Sequence, residues 1–310
     1  MSAENAPLKV VVLTTGGTIA CTTDEHGVLN ATVSGEDLLR PVARRFAPGT
    51  IAVEVRELEC IDSSTMTFAD IDAIVNAVGD ALRDPSVSGV VVTHGTDSME
   101  ETAVAVDTFH NDSRPVVFTG AQKPFDHPEA DGLNNLFEAL IVASDASARD
   151  IGCLIVFGRA VLAVRGATKW HTTDELAFAT NGPEEPTRPD PVPATALAKV
   201  NVPIVTAYPG AGREVLDLYR EQGVDGIVVE AMGSGNVGSV FSQGLTEVLA
   251  AGVPVLISTR VPRGEVASTY SGAAELAQKG ALWSSYFRAP QARVLLAISV
   301  ASGRHLATLV

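Results

Sequence analysis

Apolar residues follow two alternating rhythms along this chain. Short β-branched runs, such as Val10-Val11-Val12-Leu13 and Val90-Val91-Val92, stop at turns that contain glycine. Runs of this kind read as strands buried on both faces, as in a parallel sheet. Between them, apolar positions recur every three or four residues, the stripe of a helix packed on a sheet. Phe68, Ile71, Ile74, Val75, Val78 and Leu82 form one stripe, with Thr67 placed to cap it. Ser34 heads another helix, with Glu36 and Asp37 at the positive end of its dipole. Residues 51–58, 90–93, 115–119 and 153–157 continue the strand series, and a helix bearing Leu136, Leu140 and Ile141 precedes the last of them.

The rhythm breaks after Asn181. Residues 182–193 hold five prolines, which suit neither a helix nor a central strand. A second βα series follows, with strands expected at 204–207, 226–230 and 253–258 and a last helix opened by Pro290. The pattern predicts an α/β protein with a larger N-terminal, doubly wound, mostly parallel sheet domain and a smaller C-terminal α/β domain. The expected boundaries are 1–181 for the catalytic domain, 182–202 for a proline-rich linker and 203–310 for the second domain. No internal repeat is visible.

Composition narrows the function classes. Of 310 residues, 46% are hydrophobic and 19% charged, enough for a sizeable core. A net charge of −15 repels phosphate backbones and anionic bilayers, so neither nucleic acid nor membrane is an expected partner. Residues 1–7 show no basic stretch ahead of an apolar one, and Cys21, Cys60 and Cys153 form no CxxC pair. The expectation is a cytoplasmic protein with three buried free thiols. There is no HExxH, Walker or GxSxG motif, so no metal and no organic cofactor is expected.

Candidate chemistry sits where strands end. Thr14-Thr15-Gly16-Gly17-Thr18 and Thr93-His94-Gly95-Thr96-Asp97, about eighty residues apart, place hydroxyls where open α/β sheets bind ligands. Each motif has a plainer reading, as a turn or a helix cap; the two together suggest acyl transfer. Lys169 follows Thr168 among small polar residues, and a buried lysine beside an aspartate and a threonine is suited to act as a base. His94 reads as a structural histidine. Gly233-Ser234-Gly235-Asn236-Val237-Gly238 is a literal GxGxxG, yet the following strand ends in Ser258-Thr259-Arg260 without the acid that dinucleotide sites use.

These blocks resemble bacterial-type L-asparaginases, the asparaginase/glutaminase amidohydrolases. The likeness runs along nearly the whole chain. It includes Thr14–Ala20, Thr93–Glu101, Gly120-Ala121-Gln122-Lys123-Pro124, Ala130–Asn135, Thr168-Lys169, Gly233–Asn236, Arg260-Val261-Pro262 and Pro290–Leu296. The resemblance implies a threonine acyl-enzyme that converts L-asparagine and water to L-aspartate and ammonia. It matches Thr15 to the nucleophile and Thr96, Asp97 and Lys169 to the proton-handling group. Asp97 would also hold the substrate's ammonium. Asp62, Ser63 and Ser64 match the substrate-anchoring turn, and Asn236 a residue that reaches a neighbouring subunit's site. A homotetramer with sites at a dimer interface is implied as well. One departure stands out: the family's tyrosine in the loop after the first motif is missing, and Val28 lies nearest its place. A glutaminase-leaning enzyme and a catalytically inactive amino-acid binder are the alternatives.

Overall fold

The computed structural model describes residues 6–310; the first five residues of the N-terminal stretch lie outside it. The chain divides into two compact units between Ala179 and Thr180. Among the described residues, no helix is long and apolar enough to cross a membrane.

The first unit contains β1 (Leu8–Thr14), the short strands β2 (Cys21–Thr23) and β3 (Leu29–Ala31), α1 (Gly35–Ala43), β4 (Ile51–Glu57), α2 (Phe68–Leu82), β5 (Val87–Thr93) and α3 (Met99–Phe109). It continues with β6 (Val116–Thr119), α4 (Gly132–Ser144), β7 (Cys153–Phe157), β8 (Ala160–Ala163), β9 (Ala167–Lys169) and β10 (Phe178–Thr180), the last of which straddles the division. Six strands form one sheet in the order β4-β1-β5-β6-β7-β8. All neighbours are parallel except β8, which returns antiparallel on β7. The β-branched runs are buried as their pattern requires: Val10, Val11, Val12, Val90, Val91 and Val92 are fully covered. Helix α1 starts at Ser34, whose side chain accepts from the Asp37 N–H, and Asp70 accepts from the Thr67 backbone N–H at 2.7 Å at the head of α2.

Strand β1 has β4 on one side and β5 on the other. The order therefore reverses direction at the β1/β5 pair, and in a doubly wound sheet the crevice opens at the carboxyl ends of such a pair. The segments leaving those two ends carry the two glycine-threonine motifs.

The second unit holds β11 (Ile204–Thr206), α5 (Glu214–Gln222), β12 (Ile227–Ala231), α6 (Ser239–Ala250), β13 (Val255–Thr259), α7 (Ser271–Gln278), β14 (Leu282–Trp283) and α8 (Ala289–Ser302). Its four strands are parallel and lie in chain order. Pro290 sits in the first turn of α8, and Gly303, at φ 71°, ends it. Residues 182–193 form neither helix nor strand.

The cysteines depart from expectation. Cys153 is buried, Cys21 is half-buried and Cys60 is exposed; none is in a disulfide.

Candidate active site

Two chain reversals build the crevice. After β1, Gly16 and Gly17 take φ of 89° and 81° and turn the chain into a single 3-10 turn, Thr18–Ala20. After β5, the chain bends through His94, Gly95, Thr96 and Asp97 before α3 begins at Met99. The loops meet glycine to glycine. A Cβ on Gly17 would lie 2.6 Å from the Gly95 nitrogen, and one on Gly16 would lie 2.7 Å from Cys60 Sγ. Only glycine allows both the positive φ and this approach.

Beside this junction is a cavity of about 430 Å³, the size of a small-molecule site. Thr18, Cys21, Leu29, Cys60, Asp62, Ser63, Thr96, Asp97, Gln122 and Lys169 contribute to its wall. Five of the expected site residues, Asp62, Ser63, Thr96, Asp97 and Lys169, thus come together.

Thr15 does not join them. Its side chain is buried, and its hydroxyl donates to the Thr93 carbonyl at 3.0 Å, inside the sheet edge. The reason is geometric. Thr15 still follows the strand, with its N–H also bonded to the Thr93 carbonyl, whereas Gly16-Gly17 swing the next hydroxyl, Thr18, to the cavity. Thr15, read from the sequence as the nucleophile, is thus kept off the cavity wall. Ser64 is exposed and absent from the wall, and its N–H donates to Asp62 Oδ1, the cap of the turn, at 2.9 Å. Asn236 belongs to the second unit, in a turn closed by the Met232–Asn236 bridge.

One wall is held by side-chain hydrogen bonds. Lys169 Nζ donates to Thr96 Oγ1 at 2.8 Å and to Asp97 Oδ1 at 2.7 Å. Thr96 Oγ1 reaches towards Gln122 Oε1 at 3.5 Å, and the Gln122 amide donates to the Asp174 carbonyl at 3.0 Å. The Asp97 N–H donates to Ser63 Oγ at 3.2 Å, and Ser98 Oγ donates to the Ser63 carbonyl at 2.6 Å. Ser98, rather than Thr96 or Asp97, stands at the N-cap position of α3, so capping does not occupy these two side chains. The backbone and hydroxyl of Ser64 hold the Asp62 carboxyl below its ordinary range.

His94 is structural, as its sequence suggested. It is fully buried between the Gly95 carbonyl (2.7 Å) and Thr102 Oγ1 (2.9 Å), and desolvation pushes its pKa down to about 4. A neutral ring, with its Nδ1–H donating and Nε2 accepting, satisfies both partners.

A thin hairpin, β2–β3, also lines the cavity; it is paired from Cys21–Ala31 to Thr23–Leu29. Asp24 accepts from the N–H groups of His26 and Val28, both at 2.9 Å, and makes its turn. Val28, nearest the place of the missing tyrosine, is 55% exposed and off the wall; Leu29 and Ala31 line the cavity instead.

Sequence reading passed over Thr18, Gln122, Cys60 and Glu100. Thr18 and Gln122 lie inside quoted motifs, where only their placement distinguishes them from neighbours. Among the described residues no cluster of His, Cys, Asp or Glu could hold a metal ion.

Residues 9–187 match the family model "Asparaginase, N-terminal", and residues 201–309 match "Glutaminase/Asparaginase C-terminal domain". An L-asparaginase of Bacillus licheniformis is 30% identical over 318 residues, covering 95% of this chain and 96% of its own. L-asparaginase 2 of Escherichia coli (strain K12) is 31% identical, covering 94% of this chain and 88% of its own. The thermostable L-asparaginase from Thermococcus kodakarensis superposes with a TM-score of 0.85 at 26% identity, over 97% of this chain and 95% of its own. A probable cytoplasmic L-asparaginase from Campylobacter jejuni gives 0.87 at 26% identity, over 97% and 98%. With both family models in sequence order and both units matched along nearly their full length, the chain belongs to the bacterial-type L-asparaginase family.

Proposed function

We propose that this chain is an L-asparaginase, converting L-asparagine and water to L-aspartate and ammonia through an acyl-enzyme on Thr18. The observation that carries this reading is one small cavity whose wall includes Thr18 and the Lys169–Thr96–Asp97 group. Thr18 Oγ attacks the side-chain amide carbon. Its proton passes by way of Thr96 and Lys169 to the amide nitrogen, which leaves as ammonia. Backbone N–H groups of the Gly95–Thr96 turn stabilise the tetrahedral oxyanion, at roughly 3–4 kcal/mol of barrier per oriented donor. Water then adds to the acyl carbon, gives its proton to the same pair and releases aspartate as Thr18 recovers its hydrogen. Asp97, whose side chain is 58% exposed, holds the substrate ammonium, and the Asp62-Ser63 turn holds the α-carboxylate.

Asn236 of a neighbouring copy completes the site in a homotetramer built from close dimers. A cytoplasmic setting fits three thiols outside any disulfide.

Ammonia release from L-Asn and L-Gln, measured on wild type, Thr18→Ala and Thr15→Ala, tests the reading. Release by wild type that is lost in Thr18→Ala and kept in folded Thr15→Ala is the expected result. Full activity in Thr18→Ala overturns the nucleophile. Absence of release by wild type leaves an inactive amino-acid binder. Unchanged activity in Asn236→Ala removes the neighbour's role.

A further inference from the structure

Glu100 is a carboxylate that this reaction scheme leaves without a task. It lies in the first turn of α3, only 5% exposed. A buried carboxylate loses hydration, and that loss is tolerated only where donors replace the water. Here two do. Thr168 Oγ1 donates to one carboxylate oxygen at 3.2 Å, and the Lys169 backbone N–H donates to the other in a short hydrogen bond. Two consecutive residues of β9, a three-residue strand paired only with β10, are thus gripped by one side chain.

The grip closes a ring. Lys169 is held at its backbone by Glu100, and its side chain reaches Thr96 and Asp97. Those two residues stand three and four positions before Glu100 on the segment that opens α3. The lysine's anchor and its target are therefore both tied to one helix start, which sets the distance between them.

We propose that Glu100 is a positioning residue, whose carboxylate pins the Lys169 backbone so that the lysine side chain meets Thr96 within hydrogen-bond reach. The proposal rests on the amidohydrolase reading. The grip needs the ionised form, because a protonated carboxyl places a hydrogen on one of the two accepting oxygens. Burial pushes the Glu100 pKa up to about 7, against the opposing pull of its Lys169 and Thr168 hydrogen bonds. The charges acting on it include Glu101, its neighbour on α3, which raises the value, and Lys169 on β9, which lowers it.

Activity and stability then respond to pH in opposite senses. Positioning improves as pH rises through 7 and Glu100 ionises. A carboxyl whose folded pKa lies above its ordinary 4.5 contributes stability below pH 4.5 and loses it as pH rises through 7.

The test uses the full chain as wild type, Glu100→Gln and Glu100→Asp, with kcat, KM and Tm measured from pH 5 to 9. Wild-type kcat is expected to fall on the acid side with a midpoint near 7. Glu100→Gln is expected to lose about tenfold to a hundredfold in kcat at pH 8, as misplacement does, with a smaller change in KM and no acid limb. Glu100→Asp is expected to retain the limb with intermediate kcat. The Tm of wild type relative to Glu100→Gln is expected to fall as pH rises. A folded Glu100→Gln enzyme with wild-type kcat and an unchanged acid limb overturns the proposal. Should Glu100→Gln not fold, unchanged kcat in Glu100→Asp overturns it instead. Wild type without ammonia release at any pH defeats the amidohydrolase reading rather than the grip. Hydrogen exchange of the Lys169 backbone N–H then decides: faster exchange in Glu100→Gln than in wild type supports the grip, and equal exchange overturns it.

Discussion

In the first unit β1 lies between β4 and β5, so the chain leaves two adjacent strand ends in opposite lateral directions. In the second unit β11, β12, β13 and β14 follow chain order, and every crossover steps the same way. Right-handed crossovers that reverse direction send their helices to opposite faces, and the strand ends between them stay open. Crossovers that never reverse leave no such opening. The glycines divide accordingly. Gly16 and Gly17 bring two loops together beside a cavity. In the GxGxxG look-alike, Gly233 turns the chain at φ 53°, and Gly235, at φ 115°, would press a Cβ to 2.6 Å from Trp283 Nε1. Those two glycines serve a turn and a packing contact, which accounts for the motif without a phosphate. Similar sequence punctuation therefore carries different meaning, depending on the order of strands around it.

The contrast can be broken most forcefully at Thr18. Thr18→Ala is expected to lower kcat by about 10⁴-fold or more, as loss of a nucleophile does. Thr15→Ala removes only a buried hydroxyl–carbonyl bond and is expected to cost about 1 kcal/mol of stability, with kcat nearly kept. Steady-state ammonia release and denaturant melts separate the two. Thr96→Val, of similar shape but without the hydroxyl that Lys169 contacts, is expected to cost about 10²–10⁴-fold in kcat. Wild-type turnover in that variant removes Thr96 from proton transfer. Gly17→Ala forces an alanine to φ 81° against the Gly95 backbone and is expected to cost about 1–3 kcal/mol by strain. That corresponds to roughly 2–4 °C in Tm per kcal/mol. At the small end, NAD is expected to leave Tm unchanged. A saturable rise that is lost on substituting Gly233 or Gly235 would restore the dinucleotide reading and erase the contrast between the sheets.

Much of the fold was legible because burial in parallel strands and helix stripes writes a strong local pattern. The caps at Ser34 and Thr67, the opening of α8 at Pro290 and the break at 182–193 are local chemistry as well. The site was legible in part. Thr96, Asp97 and Lys169 sit in short, specific motifs, and hydrogen bonding brings their side chains together. Glu100 escaped notice because an acid in the first turn of a helix ordinarily signals only a favourable dipole contact. Its task depends on β9, which lies 69 residues away in sequence and meets it only in the fold. Ser64 lies off the wall because a 3-10 turn rotates successive side chains by about 120°, and Ser63 took the inner position.

By itself, the sequence determined the series of strands and helices, the places where glycine is required and the family. Tertiary structure decided which hydroxyl reaches the cavity. Thr15 and Thr18 are the same residue type within one motif, and no periodicity separates them. Two glycines at positive φ stand between them and turn the chain out of the sheet, leaving one threonine bonded into the strand edge and the other on the cavity wall. That turn is stabilised by its fit against Gly95 and Cys60, partners remote in sequence, so its outcome was set only when β1 and β5 came together.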